Sequence, residues 1–133
     1  MEQAEKAGVR IFKEGFMVRT GSVYSPIKED DGLRLLVTRY WPRGVKKERV
    51  DRWIRGLGPS APLIKDWKSG AISWSEFEKR YRAEFKDPEK KRLFDELKET
   101  ARAEAAVVLL CTCKEGERRC HRHLLSAMLR DGS

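Results

Sequence analysis

All three cysteines and both histidines of the chain lie between Cys111 and His123. Lys114, Arg118, Arg119 and Arg122 are interleaved with them. Such a cluster suits two chemistries. Beside cations and a helix start a thiol is lowered toward neutrality and becomes a usable nucleophile. Three sulfurs with a nitrogen from His121 or His123 also form a permissible tetrahedral zinc set. The spacing tests both. Cys113 to Arg119 reads CxxGxxR, the pattern of thiol loops that wrap backbone N–H groups around a phosphate. Against that, Glu115 and Glu117 would put negative charge in the cradle, Thr112 replaces the usual preceding histidine, and Cys120 stands where a hydroxyl residue normally follows. Against zinc, there is no CxxC knuckle, and Cys111 and Cys113 point to opposite faces of an extended strand unless the chain turns between them.

These residues need a strand and a helix to hold them. The run Ala106 to Cys111 (AVVLLC) is short and rich in Val and Leu, which predicts a strand buried on both faces. From Cys120 onward Leu124, Leu125, Met128 and Leu129 recur at helical spacing. A strand end therefore meets a helix start, where unpaired N–H groups and the helix dipole favour an anion. Cys120 and His121 fall toward the buried flank of that helix, so a buried, backbone-bonded histidine is the expectation for His121. Arg122 points elsewhere and is expected to hold an anion.

Upstream, Phe16 to Gly21 and Leu33 to Tyr40 read as strands, and Trp41-Pro42-Arg43-Gly44 ends the second. Val50, Trp53, Ile54 and Leu57 recur at i, i+3, i+4 and i+7, predicting a helix that ends at Gly56, Gly58 and Pro59. Ser60 caps a short segment with Leu63, Ile64 and Trp67, stopped at Gly70. Ser73 and Glu76 form a capping box for a helix carrying Trp74, Phe77, Tyr81 and Phe85. Asp87-Pro88 starts another, with Leu93, Phe94, Leu97 and Ala101. Trp53, Trp67 and Trp74 are assigned to the core, and Trp41 alone to a ligand wall.

The order of these elements implies a single layered α/β domain, with a small, mainly parallel sheet of at least three strands flanked by helices. Residues 1–15 have no clear period and form a loosely held segment; 16–133 form the domain. The Leu33 and Ala106 strands lie side by side, so their C-terminal ends share the usual ligand edge of such a sheet. Arg39, Trp41 and Arg43 would then face Cys111, Cys120, His121 and Arg122.

Composition narrows the roles. The chain has 133 residues and a net charge of +8, and no apolar run is long enough to span a bilayer. Met1 to Phe16 lacks the apolar stretch of a secretory signal, so a cytoplasmic protein is expected. An odd cysteine count argues against a disulfide framework. Arg39, Arg43, Lys46, Lys47, Arg49, Arg52 and Arg55, against Glu48 and Asp51, concentrate positive charge in one segment. Such a patch suits a phosphorylated or otherwise anionic small molecule, a nucleic acid, or simply solvent.

The segments Asp31 to Val37, Arg39-Tyr40-Trp41-Pro42-Arg43-Gly44-Val45-Lys46-Lys47 and Leu57-Gly58-Pro59-Ser60 carry a resemblance. On them the chain resembles the YeaO-like branch of a widespread prokaryotic family of domains of unknown function. The likeness runs from about Phe16 to Leu129. In many members of the wider family a cysteine ends the last strand and a Cys-His-Arg triplet opens the last helix, matching Cys111 and Cys120-His121-Arg122, whereas the short branch often lacks those cysteines. The resemblance implies a lineage and no activity, cofactor or substrate. The expected site therefore comprises Cys111, Cys113, Cys120 and His121 as reactive groups, Arg39, Arg43, Arg119 and Arg122 as anion ligands, and Trp41 as a wall. If the protein is an enzyme, a phosphate-bearing substrate is expected.

Overall fold

The computed structural model describes residues 9–11 and 17–131. Five strands, β1 (Val9–Ile11), β2 (Met17–Ser22), β3 (Leu33–Leu36), β4 (Arg52–Trp53) and β5 (Ala106–Cys111), form one sheet in the order β1-β2-β5-β3-β4. The last four in that order are mutually parallel, and β1 runs antiparallel along β2. This is the layered, mainly parallel α/β architecture the element order implied. Of the segment expected to be loosely held, Val9–Ile11 form the edge strand and the rest lies outside the described residues.

β5 is central and its residues from Val107 to Cys111 are all buried, which explains its unbroken apolar run. One face of the sheet, through Leu35, Val37, Val107 and Leu109, packs into the core shared with helices α1 (Ala61–Lys68), α2 (Trp74–Glu84), α3 (Pro88–Glu104) and α4 (His121–Asp131). The other face, through Leu36, Val108 and Leu110, is covered by Val23, Val45, Trp41 and Val50 from loops. The expected caps are present. Ser60, Ser73 and Asp87 side chains accept from the N–H groups of Leu63, Glu76 and Lys90. Gly70, at φ +79°, terminates α1 as anticipated.

Residues 46–57 do not form the predicted helix. They make a 3-10 turn (Lys47–Arg49), the short strand β4 and a second 3-10 turn (Arg55–Leu57). The apolar spacing misleads because its members serve different faces: Val50 joins the loop-covered cluster, Ile54 and Leu57 the helical core. The backbone instead pairs with β3, Ile54 N–H donating to the Leu36 carbonyl at 2.8 Å and Asp51 N–H to that of Arg34 at 2.9 Å. Trp53, expected in the core, is 36% exposed. Likewise the predicted strand Leu33 to Tyr40 leaves the sheet early; Val37 N–H still reaches the Leu110 carbonyl at 3.0 Å, and residues beyond turn away as the site's rim.

The turn Leu57-Gly58-Pro59 lies against that rim. A Cβ on Gly58 would collide with the Arg39 backbone nitrogen and come within 2.8 Å of the Thr38 carbonyl carbon, so only glycine permits this approach. Buried Tyr81 donates its hydroxyl to the Leu57 carbonyl at 2.7 Å, and Lys90 donates to Gly58 O at 2.5 Å while pairing with Glu84 at 3.2 Å.

Candidate functional site

Where β3 and β5 end, the chain opens a cavity of about 290 Å³. On one side stand Thr38 to Pro42 from the end of β3; on the other, Cys111, Thr112, Cys113, Arg119, Cys120 and His121. The predicted convergence of the tryptophan-proline turn and the cysteine segment is thus realised. A third wall comes from α1 and α2: Ile64, Trp67, Lys68, Trp74 and Phe77.

The aromatic wall is ordered. Trp74 stacks on Phe77 at 4.8 Å between centroids, Trp67 tilts against both, and the series continues through Tyr81 to an edge contact with His121 at 5.7 Å. Trp67 and Trp74, assigned to the core from sequence, do pack against it half-buried, and they also line the cavity. Their position on apolar stripes concealed this. The available signal was size, since an indole is seldom wholly enclosed. Trp41 does line the cavity and is fixed by donating Nε1–H to the Val45 carbonyl at 2.9 Å.

At the floor the chain turns after Cys111, so Cys111, Cys113 and Cys120 bring their sulfurs within 4.8 Å of one another. Cys111 and Cys120 are buried with sulfurs 2.8 Å apart, whereas Cys113 is half-buried and reaches the cavity. Hydrogen bonding with the Cys111 thiol, then Cys120, then the charge of Arg122, depresses the Cys113 pKa far below the usual thiol value. The same contacts raise Cys111 to about 11 and push Cys120 higher still. The direction of these shifts favours ionisation of the outermost sulfur, Cys113, over the two buried ones.

His121 is enclosed, as expected from its helix position. Its Nε2–H donates to the Val37 carbonyl at 2.6 Å, which leaves Nδ1 as the lone-pair nitrogen, 3.9 Å from Cys120 Sγ. Burial lowers its pKa to about 4, so the ring is neutral at pH 7. His123 turns away. Its Nε2–H donates to the Glu117 carbonyl at 2.8 Å and its Nδ1 lies 3.5 Å from the Thr20 hydroxyl. The groups suited to a soft metal are therefore the three sulfurs, with His121 Nδ1 beside Cys120.

The arginines separate. Arg39 and Arg119 line the cavity, Arg39 donating Nε–H to the Pro59 carbonyl at 2.7 Å. Arg43 is exposed on the far side of the turn, where its carbonyl accepts the Tyr24 hydroxyl at 2.9 Å, and it does not line the cavity. Arg122, expected to point outward to an anion, is wholly buried. Its guanidinium donates to the carbonyls of Gly21, Cys113, Lys114 and Glu115 at 2.9–3.3 Å and to Cys111 Sγ at 3.0 Å. The loop after β5 thus turns carbonyls, not N–H groups, inward. It encloses a cation of its own rather than forming the phosphate cradle suggested by CxxGxxR. Glu115 is drawn out of the loop by Ser22 N–H (3.0 Å) and the Ser25 hydroxyl (2.6 Å). Burial opposes its ionisation, but these two bonds prevail and hold its pKa below the usual carboxylate range.

Comparison with known proteins places this geometry in a lineage. The chain is 39% identical over 77 residues to the uncharacterised protein YeaO of Escherichia coli K12, a match covering 55% of this chain and 67% of YeaO. It is also 39% identical over 72 residues to the uncharacterised proteins Rv3073c of Mycobacterium tuberculosis H37Rv and Mb3100c of Mycobacterium bovis, covering 53% of this chain and 61% of theirs. The matched stretch thus spans less than two thirds of the mycobacterial relatives. No solved structure gives a significant match. Residues 18–133 match the family described as the active DUF488-N3 subclade, and the chain belongs to that family, DUF488-N3a.

Proposed function

We propose that the chain binds an anionic ligand carrying a flat ring in the cavity at the ends of β3 and β5, and that Cys113 is the group that reacts with it. The observation that carries this is the composition of the cavity: an indole and phenyl wall, the half-buried Cys113 thiol at the floor beside two buried sulfurs, and Arg39, Arg119 and Lys68 at its margin. Aromatic faces select a planar group, and guanidinium forks select carboxylate or phosphate. Cys113 would attack an electrophilic centre of the ligand, and the displaced group would leave with the bonding electron pair.

The test is alkylation by iodoacetamide at pH 6, read residue by residue by mass spectrometry. Cys113 should be labelled first. Phenyl phosphate, which joins a ring to an anion, should protect it better than inorganic phosphate. Equal labelling of the three cysteines, or no protection by phenyl phosphate, refutes the proposal. A second reading, a soft metal held by Cys111, Cys113 and Cys120, is favoured by their three clustered sulfurs. Stoichiometric zinc in protein purified without chelator, with all three thiols shielded from alkylation until the metal is removed, would replace the thiol proposal.

A further inference from the structure

The indole of Trp41 is a wall of two separate hollows. One is the cavity described above; the other is an open groove of about 830 Å³ on the outer side of the turn, floored by Trp53 and flanked by Lys46, Lys47 and Arg52. Trp41 and Trp53 meet edge to face at 5.4 Å, and Trp53 is held by donating Nε1–H to the Thr38 carbonyl at 2.7 Å. Arg55 lies over the Trp53 ring at 5.6 Å. Groove and cavity thus share Trp41 as their common wall, and Trp53 backs it on the groove side.

The charge of this shelf is available to a partner. Arg43, Lys46, Lys47 and Arg55 are exposed and none pairs with a carboxylate of a described residue. Two acidic groups share the groove. Asp51 is engaged by the Arg34 N–H at 2.8 Å, and Glu48 is solvent-exposed. Arg49 is less free to reach a ligand, since its guanidinium is directed to the carbonyls of Val23 and Ser25. Tyr40, which also lines the cavity, is 56% exposed, and Tyr24, bonded to the Arg43 carbonyl, is 54% exposed. Exposed aromatics and cations without carboxylate partners among the described residues, gathered in and around one groove, are what a single-stranded polynucleotide engages: bases stack on the rings and phosphates lie on the cations.

We propose that the ligand of the cavity is one nucleotide of a single-stranded polynucleotide, whose neighbouring nucleotides lie along the shelf. Trp41 separates the inserted base from the next one, which stacks on Trp53, and Arg43, Lys46, Lys47 and Arg55 receive the phosphates. This rests on the cavity reading and extends it to a substrate class.

The test is fluorescence anisotropy of the full chain with labelled twelve-residue oligo-dT and oligo-U across a salt series. Contact with about four phosphates gives a slope of log K against log salt of about −3 for a single strand. The double variant K46E/K47E should weaken binding at least tenfold while leaving protection of Cys113 by phenyl phosphate unchanged. A preference between the two oligomers assigns the sugar, and either preference supports the proposal. Equal affinity for a duplex of the same length overturns it, as does equal affinity for polyglutamate, which would indicate an acidic protein partner. So does no oligomer binding with phenyl phosphate protection intact, an outcome that leaves the cavity reading standing. Loss of phenyl phosphate protection in the parent protein overturns both.

Discussion

Replacing His121 by glutamine should flatten the acid sensitivity of the fold. His121 ties the end of β3 to the start of α4 through Val37, so its protonation state bears on both halves of the site. Its pKa falls from 6.5 to about 4 on burial. Between those values the unfolded chain carries a proton that the folded chain lacks. Stability therefore rises with pH through this window and is lost as pH falls from about 6.5 toward 4. Integrated from pH 7 down to pH 4.5, the shift corresponds to about 2 kcal/mol lost on acidification. Glutamine cannot titrate, though its amide can still donate to Val37. At pH 7 the variant should be the weaker protein, since it loses the ring's contact with Tyr81, yet its loss between pH 7 and 4.5 should be about 2 kcal/mol smaller than the parent's. Urea unfolding followed by tryptophan fluorescence at the two pH values measures both quantities. Parallel pH profiles for parent and variant would refute the reasoning, because His121 would then accept its proton in the folded state without penalty.

The sulfur cluster makes a second prediction: Cys111→Ala removes the leading donor to the Cys113 thiolate, and a charged hydrogen bond of about 1.5–3 kcal/mol corresponds to a rise of about one to two pH units in the alkylation midpoint. An unchanged midpoint in the pH–rate profile would show that Cys111 does not hold that charge. Arg122→Ala should cost about 3–5 kcal/mol in denaturant unfolding, because it removes a wholly buried side chain together with its bonds to four carbonyls and to Cys111 Sγ. Arg122→Lys should recover only part of that, since an ammonium lacks the planar fork. Gly58→Ala should destabilise by about 1–3 kcal/mol through forced separation of the 57–59 turn from Arg39, with weaker phenyl phosphate protection as the accompanying readout. Trp74→Leu should leave folding within about 2 kcal/mol of the parent while weakening that protection further, since Trp74 is only half-buried where it packs on the core and lines the cavity with its other side.

Much of the scaffold can be read from the residues. β5 announces itself because a central parallel strand must be apolar on both faces, and α2 and α3 because Ser73 and Asp87-Pro88 supply local caps that need no tertiary knowledge. Residues 46–57 fail for a definite reason. Periodicity counts apolar positions without recording which side of the sheet receives them, and here Val50 and Leu57 go to opposite sides. The meeting of the tryptophan-proline turn with the cysteine segment follows from strand adjacency alone. The direction of individual arginines does not. Arg39 and Arg122 are equally cationic in sequence, yet one lines the cavity and the other is swallowed by carbonyls whose inward turn no spacing encodes. The wall formed by Trp67 and Trp74 was likewise hidden by stripes that also serve the core.

The strand order carries a consequence for synthesis. β5 inserts between β2 and β3, pairing Met17 with Ala106 and Leu33 with Val107. Until the ribosome has delivered it, β2 and β3 have no common neighbour and leave open edges facing solvent. At about 5–20 residues per second that interval lasts several seconds, long enough for unwanted pairing between nascent chains. Expression yield in a heterologous host should therefore respond to chaperone supply and translation speed more than to the stability of the finished molecule.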